Sequence, residues 1–370
     1  MIITPENNYA ALDAWLEGKR KVFLVCDASI QYLESFNRKL DEIKTEMIRF
    51  SDFQPNPLYE SVVEGVRIFR DENCDSIIAV GGGSAMDVAK CVKLYATQPG
   101  NGDDGEWLKQ QIAPNSIPFL AMPTTAGTGS EATRYAVIYY LGEKQSITSE
   151  SFIPGTVLMD PSALKTLPLY QRKATMCDAL CHAIESFWSV NSTEESKEYA
   201  KAAIQGVLGN MEGYLSNTEQ GNAGMLMAAH AAGRAINITQ TTAGHAMCYK
   251  ITSLFGCAHG HAAILCDRVL YPWMIKNTDK CIDARGAEYL KKTLDEIGCA
   301  LGAENAENGA EKLEGIFRKL ELTIPEATAV QFEILKGSVN PVRLKNHPVK
   351  LDLDNIELLY HQILRCTNEG

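Results

Sequence analysis

The chain has 370 residues, 45% of them hydrophobic and 22% charged, a balance typical of globular proteins and far from that of disordered chains. That length can bury two separate cores, so two domains are expected. Lys+Arg 35 against Asp+Glu 46 leaves a net charge of −11, and no local basic patch offsets it, which excludes nucleic acid as an expected partner.

The chain opens without a basic segment followed by an apolar one, and it contains no run of 18 apolar residues. Secretion and membrane spanning are therefore not expected. The 11 cysteines are an odd number with no CxxC spacing, so they read as reduced thiols of a cytoplasmic protein.

In chain order, residues 21–26 and 76–80 are short apolar runs stopped by Asp27 and by Gly81-Gly82-Gly83. Such runs suit strands buried on both faces of a parallel sheet. Between them, 29–43 and 58–72 have helical spacing, with Leu58, Val62, Val66 and Phe69 on one face. Pro118–Met122 and Val157–Met159 supply further strands. The alternation predicts an α/β dinucleotide-binding domain, Rossmann-like with a mostly parallel sheet, over residues 1–165. From Pro168 the texture becomes long, alanine-rich helical patterns (171–190, 194–215, 222–236), which predicts an all-α domain over 166–370.

The segment Ile77-to-Lys90 reads as strand, glycine-rich turn and helix start, where outward-pointing amides and the lack of Cβ atoms suit a pyrophosphate. A second such loop, Pro123-Thr-Thr-Ala-Gly-Thr-Gly-Ser130-Glu131, follows the next strand, and the pair together favour a dinucleotide over two idle turns. Asp27 ends the first strand, where it either meets an adenosine ribose and repels a 2′-phosphate or caps the following helix. Asp178 and His182 stand one helical turn apart, and His245 precedes His259 by fourteen residues. One carboxylate and three imidazoles make a plausible site for a first-row divalent ion. His230 reads as a packed helical histidine, His261 as a competitor of His259, and the stretch with Arg343 and Asn346 as a structural turn.

Gly81-Gly-Gly-Ser-Ala-Met-Asp87, Pro123-to-Glu131, Met159-Asp160-Pro161, Asp178-Ala-Leu-Cys-His182-Ala-Ile-Glu185, Gly244-His245-Ala and His259-Gly260 occur in an order and spacing that resemble the iron-containing, or group III, alcohol dehydrogenases over the full chain. The resemblance implies a dehydroquinate synthase-like architecture and a homodimer. It also implies a catalytic Fe2+ or Zn2+ held by Asp178, His182, His245 and His259. Contacts to the nicotinamide cofactor are implied at Asp27, Gly82, Gly83, Ser84, Thr124, Thr125 and Lys144, and the same loops bring Asp87 and Ser130 into that set. NAD(H) is expected over NADP(H).

Many relatives carry a histidine near the nicotinamide where this chain has Tyr249, followed by Lys250. These two residues are the candidate catalytic pair, Tyr249 as one route for a proton and Lys250 as a cation for an anionic substrate. The Tyr-Lys pair and the segment before it resemble the phosphonoacetaldehyde reductase branch, which implies reduction of phosphonoacetaldehyde to 2-hydroxyethylphosphonate. The alternative is a general short-chain alcohol dehydrogenase or lactaldehyde reductase.

Overall fold

The structure is a computed structural model that describes residues 1–339 and 341–367, the side chains of 342 and 343 excepted. The chain divides into two compact units, Met1–Leu167 with Asn217–Leu226, and Pro168–Ser216 with Met227 onward.

In the first unit the order is β1 (Ile2–Ile3), α1 (Glu6–Leu16), β2 (Lys21–Cys26), α2 (Glu34–Glu42), β3 (Glu46–Phe50), α3 (Tyr59–Asp71), β4 (Ser76–Gly81), α4 (Gly83–Tyr95), the short α5 (Glu106–Lys109), β5 (Phe119–Pro123), β6 (Tyr135–Tyr140), β7 (Glu143–Thr148) and β8 (Thr156–Leu158). Six strands form one sheet in the order β1-β8-β5-β4-β2-β3, every neighbouring pair parallel. Alternate residues of each strand feed two cores. Phe23, Val25, Ile77, Ala79, Phe119 and Ala121 face one core with Val62, Val66 and Phe69 of α3. Val22, Leu24, Ile78, Val80, Leu120 and Met122 face the other with Leu12 and Phe36. Burial on both faces explains why these strands read as unbroken apolar runs.

The sequence reading missed the antiparallel hairpin β6–β7, whose alternating burial is interrupted by tyrosines. The expected helix 29–43 is two pieces, a 3-10 turn at Ala28–Tyr32 and α2, parted at Leu33. The segment 217–226 falls in the first unit although it lies some fifty residues beyond the expected boundary, because Asn217 Nδ2 donates to Lys165 O at 2.8 Å and Asn222 Nδ2 to Pro161 O at 3.3 Å.

The second unit contains α6 (Leu169–Trp188), α7 (Glu194–Leu215), most of α8 (Glu219–Thr239), α9 (Ala243–Phe255), α10 (His259–Lys276), α11 (Ala287–Ala300), α12 (Ala306–Leu320), β9 (Glu326–Ala327), α13 (Ala329–Gly337), α14 (Pro341–Leu344), α15 (Leu353–Ile363) and β10 (Arg365–Cys366). Among the described residues its elements are helical apart from the two-residue parallel pair β9–β10. Helix α6 packs against α7 and α10, and α10 against α9. The α6–α10 approach is close at Gly260, where a Cβ would sit 2.0 Å from Ala174 O and 2.6 Å from Asp178 Cβ. Any larger residue there would push apart the helices that carry Asp178 and His259. Among the described residues, no helix is long and apolar enough to cross a membrane.

Candidate functional site

In the first unit β2 is followed in the sheet by β3 on one side and β4 on the other. The chain therefore reverses its direction of travel at the carboxyl ends of β2 and β4, the position where open α/β sheets bind ligands. Three loops meet there. Asp27 accepts from Ser29 N at 2.8 Å through Oδ1 and from Gly82 N at 3.1 Å through Oδ2. Gly81 has φ +155, and a Cβ on it would lie 2.4 Å from Asp27 Oδ2, so only glycine lets the carboxylate clasp the turn. Thr124 N donates to Gly81 O at 3.0 Å, and Ser29 Oγ to Thr124 Oγ1 at 3.1 Å.

Gly82 caps α4 and, with Gly83 and Ser84, is half-buried; Thr125 and Thr128 flank these glycines. The N-terminal amides of α4 thus open beside hydroxyl groups, a setting suited to an anion. Asp27 is thus a cap and a clasp at once.

Asp87 and Ser130 are engaged with each other. Ser130 Oγ donates to Asp87 Oδ1 at 3.2 Å, and Val137 N donates to Oδ2 at 3.1 Å. Beneath them the buried Lys90 ammonium donates to Ser130 O, Thr133 Oγ1 and Tyr135 O at 2.6, 3.1 and 2.8 Å. Burial raises the Asp87 carboxyl to about 6 and lowers Lys90 to about 8, each countered in part by the other's charge. This cluster ties α4 to the loop after β5 and to the hairpin. Lys144, on β7, is half-buried and adds positive charge toward Asp87.

In the second unit α6 carries Asp178, His182 and Glu185 at positions i, i+4 and i+7, one face of a helix. His245 lies in the first turn of α9 and His259 begins α10. Three imidazole nitrogens gather about one oxygen: Asp178 Oδ1 is 3.4 Å from His245 Nε2, 3.9 Å from His259 Nε2 and 4.0 Å from His182 Nε2. Ligand atoms of Asp178, His245 and His259 all lie within 4.8 Å of one another, and the His182 ring stacks on His245 at 4.4 Å between centroids. Four ligands about 2.0–2.2 Å from one tetrahedral cation stand roughly 3.3–3.6 Å apart, so Asp178, His245 and His259 fit a first-row divalent ion after small adjustments, with His182 Nε2, 4.0 Å from Asp178 Oδ1, beside that group.

The electrostatics agree with that fit. Burial alone would raise Asp178, but His182, His245 and His259 hold it well below the carboxylate range. Burial alone would lower His245, but Glu185 and Asp178 push it up to about 10. Asp178 and Glu185 thus stay ionised, and the positive charge that balances them is held on His245, where a bound cation would take its place.

His259 is the more open ligand, its side chain 34% exposed, and the Tyr249 ring lies 5.2 Å from it. Tyr249 is one turn beyond His245, on the same side of α9. Lys250 is half-buried and lies about 140° around the helix from His245. It has no ion pair or side-chain hydrogen bond among the described residues, and no contact joins it to the cluster. His261 faces away from the ligand group: its Nε2 bonds Thr323 O at 2.8 Å and its Nδ1 the Tyr170 hydroxyl at 3.1 Å, while Ala258 N donates to that hydroxyl at 2.9 Å. Tyr170 and His261 thereby anchor the start of α10, beside His259.

Glu185 closes the motif that begins at Asp178, and its role emerges only in the fold. Its carboxylate is fully buried and accepts from Thr242 N at 2.5 Å, Thr242 Oγ1 at 2.6 Å and His245 N at 2.9 Å, and it pairs with His245 Nδ1. Those partners outweigh burial and bring Glu185 down to about 2. Asp267, buried nearby, is pushed well above the usual range by burial and by the Glu185 charge. The turn before α9 is held by Asn346, whose Nδ2 donates to Gln240 Oε1 at 3.1 Å and Thr241 O at 3.2 Å. The side chain of Arg343 lies outside the described residues.

The iron-containing alcohol dehydrogenase family matches over residues 1–161, and the C-terminal region of the Fe-containing alcohol dehydrogenase family over 173–327. A phosphonoacetaldehyde reductase of Streptomyces viridochromogenes is 30% identical over 312 residues, 80% of this chain and 78% of that protein. A 1,3-propanediol dehydrogenase of Citrobacter freundii is 30% identical over 302 residues, 79% and 77% of the two chains. A sulfoacetaldehyde reductase of Bifidobacterium kashiwanohense, solved with NAD+, superposes with a TM-score of 0.86 at 26% identity, covering 99% of this chain and 97% of that one. The chain belongs to the iron-containing alcohol dehydrogenase family and is an NAD(P)-dependent oxidoreductase of the alcohol dehydrogenase or aldehyde reductase type.

Proposed function

We propose that this protein reduces a small anionic aldehyde to its alcohol, phosphonoacetaldehyde to 2-hydroxyethylphosphonate, with NADH rather than NADPH as donor and with Fe2+ or Zn2+ held by Asp178, His182, His245 and His259. The observation that carries the reading is the gathering of three imidazole Nε2 atoms about Asp178 Oδ1. When bound, the cation supplies Lewis acidity to a carbonyl and the dihydronicotinamide supplies hydride.

The chain's own residues do the rest. Asp178 contributes a full negative charge and the imidazoles neutral donors. Asp27, Gly82, Gly83, Ser84, Thr124 and Thr125 receive the dinucleotide at the carboxyl ends of β2, β4 and β5, and Asp87, Ser130 and Lys144 brace or line that cradle. Tyr249, whose ring lies 5.2 Å from that of His259, is the group assigned to hand a proton to the product oxygen. Lys250, an ammonium without an ion pair among the described residues, is the candidate partner for the phosphonate. A phosphonoacetaldehyde reductase and a sulfoacetaldehyde reductase among the similar proteins support an aldehyde bearing a strong anion. The dimer implied by the family resemblance and the cytoplasmic location expected from the sequence complete this reading.

A second reading, a general short-chain alcohol dehydrogenase or lactaldehyde reductase, draws on the position of Lys250 around the helix, away from His245. An NADH-oxidation assay across phosphonoacetaldehyde, lactaldehyde and butyraldehyde, with metal content measured on the same sample, separates the two. The proposal expects kcat/KM for phosphonoacetaldehyde to exceed that for butyraldehyde at least tenfold; equal values return the assignment to the general enzyme.

A further inference from the structure

We propose that Glu185 is the positioning residue of the candidate metal centre, holding His245 so that its Nδ1–H is committed to the carboxylate and its Nε2 is turned to the cation. The inference rests on the cation reading above and adds a residue to which neither the motifs nor the similar proteins give a role.

The geometry is over-determined. Glu185 Oε1 receives both the backbone amide and the ring Nδ1 of His245, so one oxygen fixes the residue at two points. Oε2 receives the amide and the hydroxyl of Thr242, the residue that caps α9. The Thr242 hydroxyl is itself aimed by Trp188 Nε1, 2.8 Å away and three residues beyond Glu185 on α6. A carboxylate from α6 thus takes the place of a local side-chain cap at the start of α9, satisfying amides that a helix N-terminus leaves open.

An imidazole that gives its Nδ1–H to a carboxylate has only Nε2 free to ligate, and its basicity is raised. His245 Nε2 is also the imidazole nitrogen closest to Asp178 Oδ1, at 3.4 Å against 3.9 and 4.0 Å for the others. The ligand that Glu185 holds is therefore the best placed of the three. Glutamine in its place would keep the shape, but its NH2 against Nδ1 would favour the tautomer with the proton on Nε2, and its oxygen there would hold Nδ1–H without the carboxylate's charge.

The test uses the full-length protein stripped by chelation and titrated with Co2+, whose visible absorption reports ligand geometry. Glu185→Gln is expected to weaken Co2+ binding about 10–100-fold and to shift the absorption bands. Thr242→Val, which removes one of the donors orienting the carboxylate, should weaken it less, by about threefold to tenfold. The melting temperature of each metal-free variant is read alongside, because a purely structural residue would move the melting temperature and leave affinity and spectrum unchanged. A folded Glu185→Gln protein that binds Co2+ as tightly as the parent with the same bands overturns the proposal. Should that variant not fold, unchanged affinity in Thr242→Val overturns it. His259→Ala separates the two layers: if it leaves Co2+ binding intact, the cation reading itself fails, whereas if it abolishes binding while Glu185→Gln does not, only the role of Glu185 falls.

Discussion

The two units build their candidate sites from different parts of the chain. At the strand ends of the first unit the groups open to an anion are mainly backbone amides at the start of α4, those of Gly83 and Ser84, in a turn that Asp27 clasps through the Gly82 amide and Thr124 N through Gly81 O. In the second unit the groups are side chains projecting from three helices, with His245 braced by Glu185. A backbone cradle depends on conformation, so it is sensitive to glycine replacement and tolerant elsewhere. A side-chain cluster depends on identity, because each member supplies an atom that no neighbour can replace. The largest losses should therefore come from the helical unit.

His245→Ala or His259→Ala should remove bound metal and at least about a thousandfold of kcat/KM together, while circular dichroism stays near that of the parent. Retained metal, or near-normal turnover without it, would break the distinction between the two sites. Lys250→Met should lower kcat/KM for phosphonoacetaldehyde by about tenfold to a thousandfold, roughly 1.5–4 kcal/mol. Turnover of butyraldehyde should change little, and equal small effects on both substrates would leave Lys250 a surface residue.

A third prediction concerns stability rather than chemistry. His347 is fully buried, and burial lowers it to about 4 despite the opposing charge of Glu185. Its folded value lies below the ordinary value of about 6.5, so the unfolded chain binds the extra proton in that interval, and stability falls as pH drops from about 6.5 to about 4. The loss reaches about 3 kcal/mol. Denaturant melts of His347→Gln should show a flatter dependence on pH across the same window, and an unchanged slope would assign the acid loss to other groups.

The smallest effect is expected at the backbone cradle. Asp27→Gly should narrow the preference for NADH over NADPH by about tenfold, about 1.4 kcal/mol, by removing a charge from the region of the 2′-phosphate. Because Asp27 also clasps Gly82, KM for both cofactors should rise. A rise in KM with an unchanged ratio would restrict Asp27 to its structural duty.

What the sequence disclosed follows the same division. The central strands β2, β4, β5 and β8 were legible because burial on both faces leaves continuous apolar runs, and the glycine loops because they interrupt those runs. The hairpin β6–β7 was not legible, since Tyr135, Tyr139 and Tyr140 blur its alternation. In the helical unit the i, i+4 spacing of Asp178 and His182 and the paired Gly-His segments drew attention to the four candidate ligands. Their supports left no such mark. Glu185 reaches His245 across sixty residues, and Asn346 reaches Gln240 across 106; only packing brings such pairs together. One signal was available for Glu185, its place one turn beyond His182 on the Asp178 face of α6.

The central claim is that Asp178, His182, His245 and His259 form one cation site. Anomalous diffraction from a crystal of the zinc-loaded protein, recorded on both sides of the zinc absorption edge, tests it most directly. The account predicts a single strong peak about 2.0–2.2 Å from an Asp178 oxygen and from the Nε2 atoms of the three histidines. A peak bound elsewhere, or no peak among these four residues in a fully loaded crystal, would contradict it.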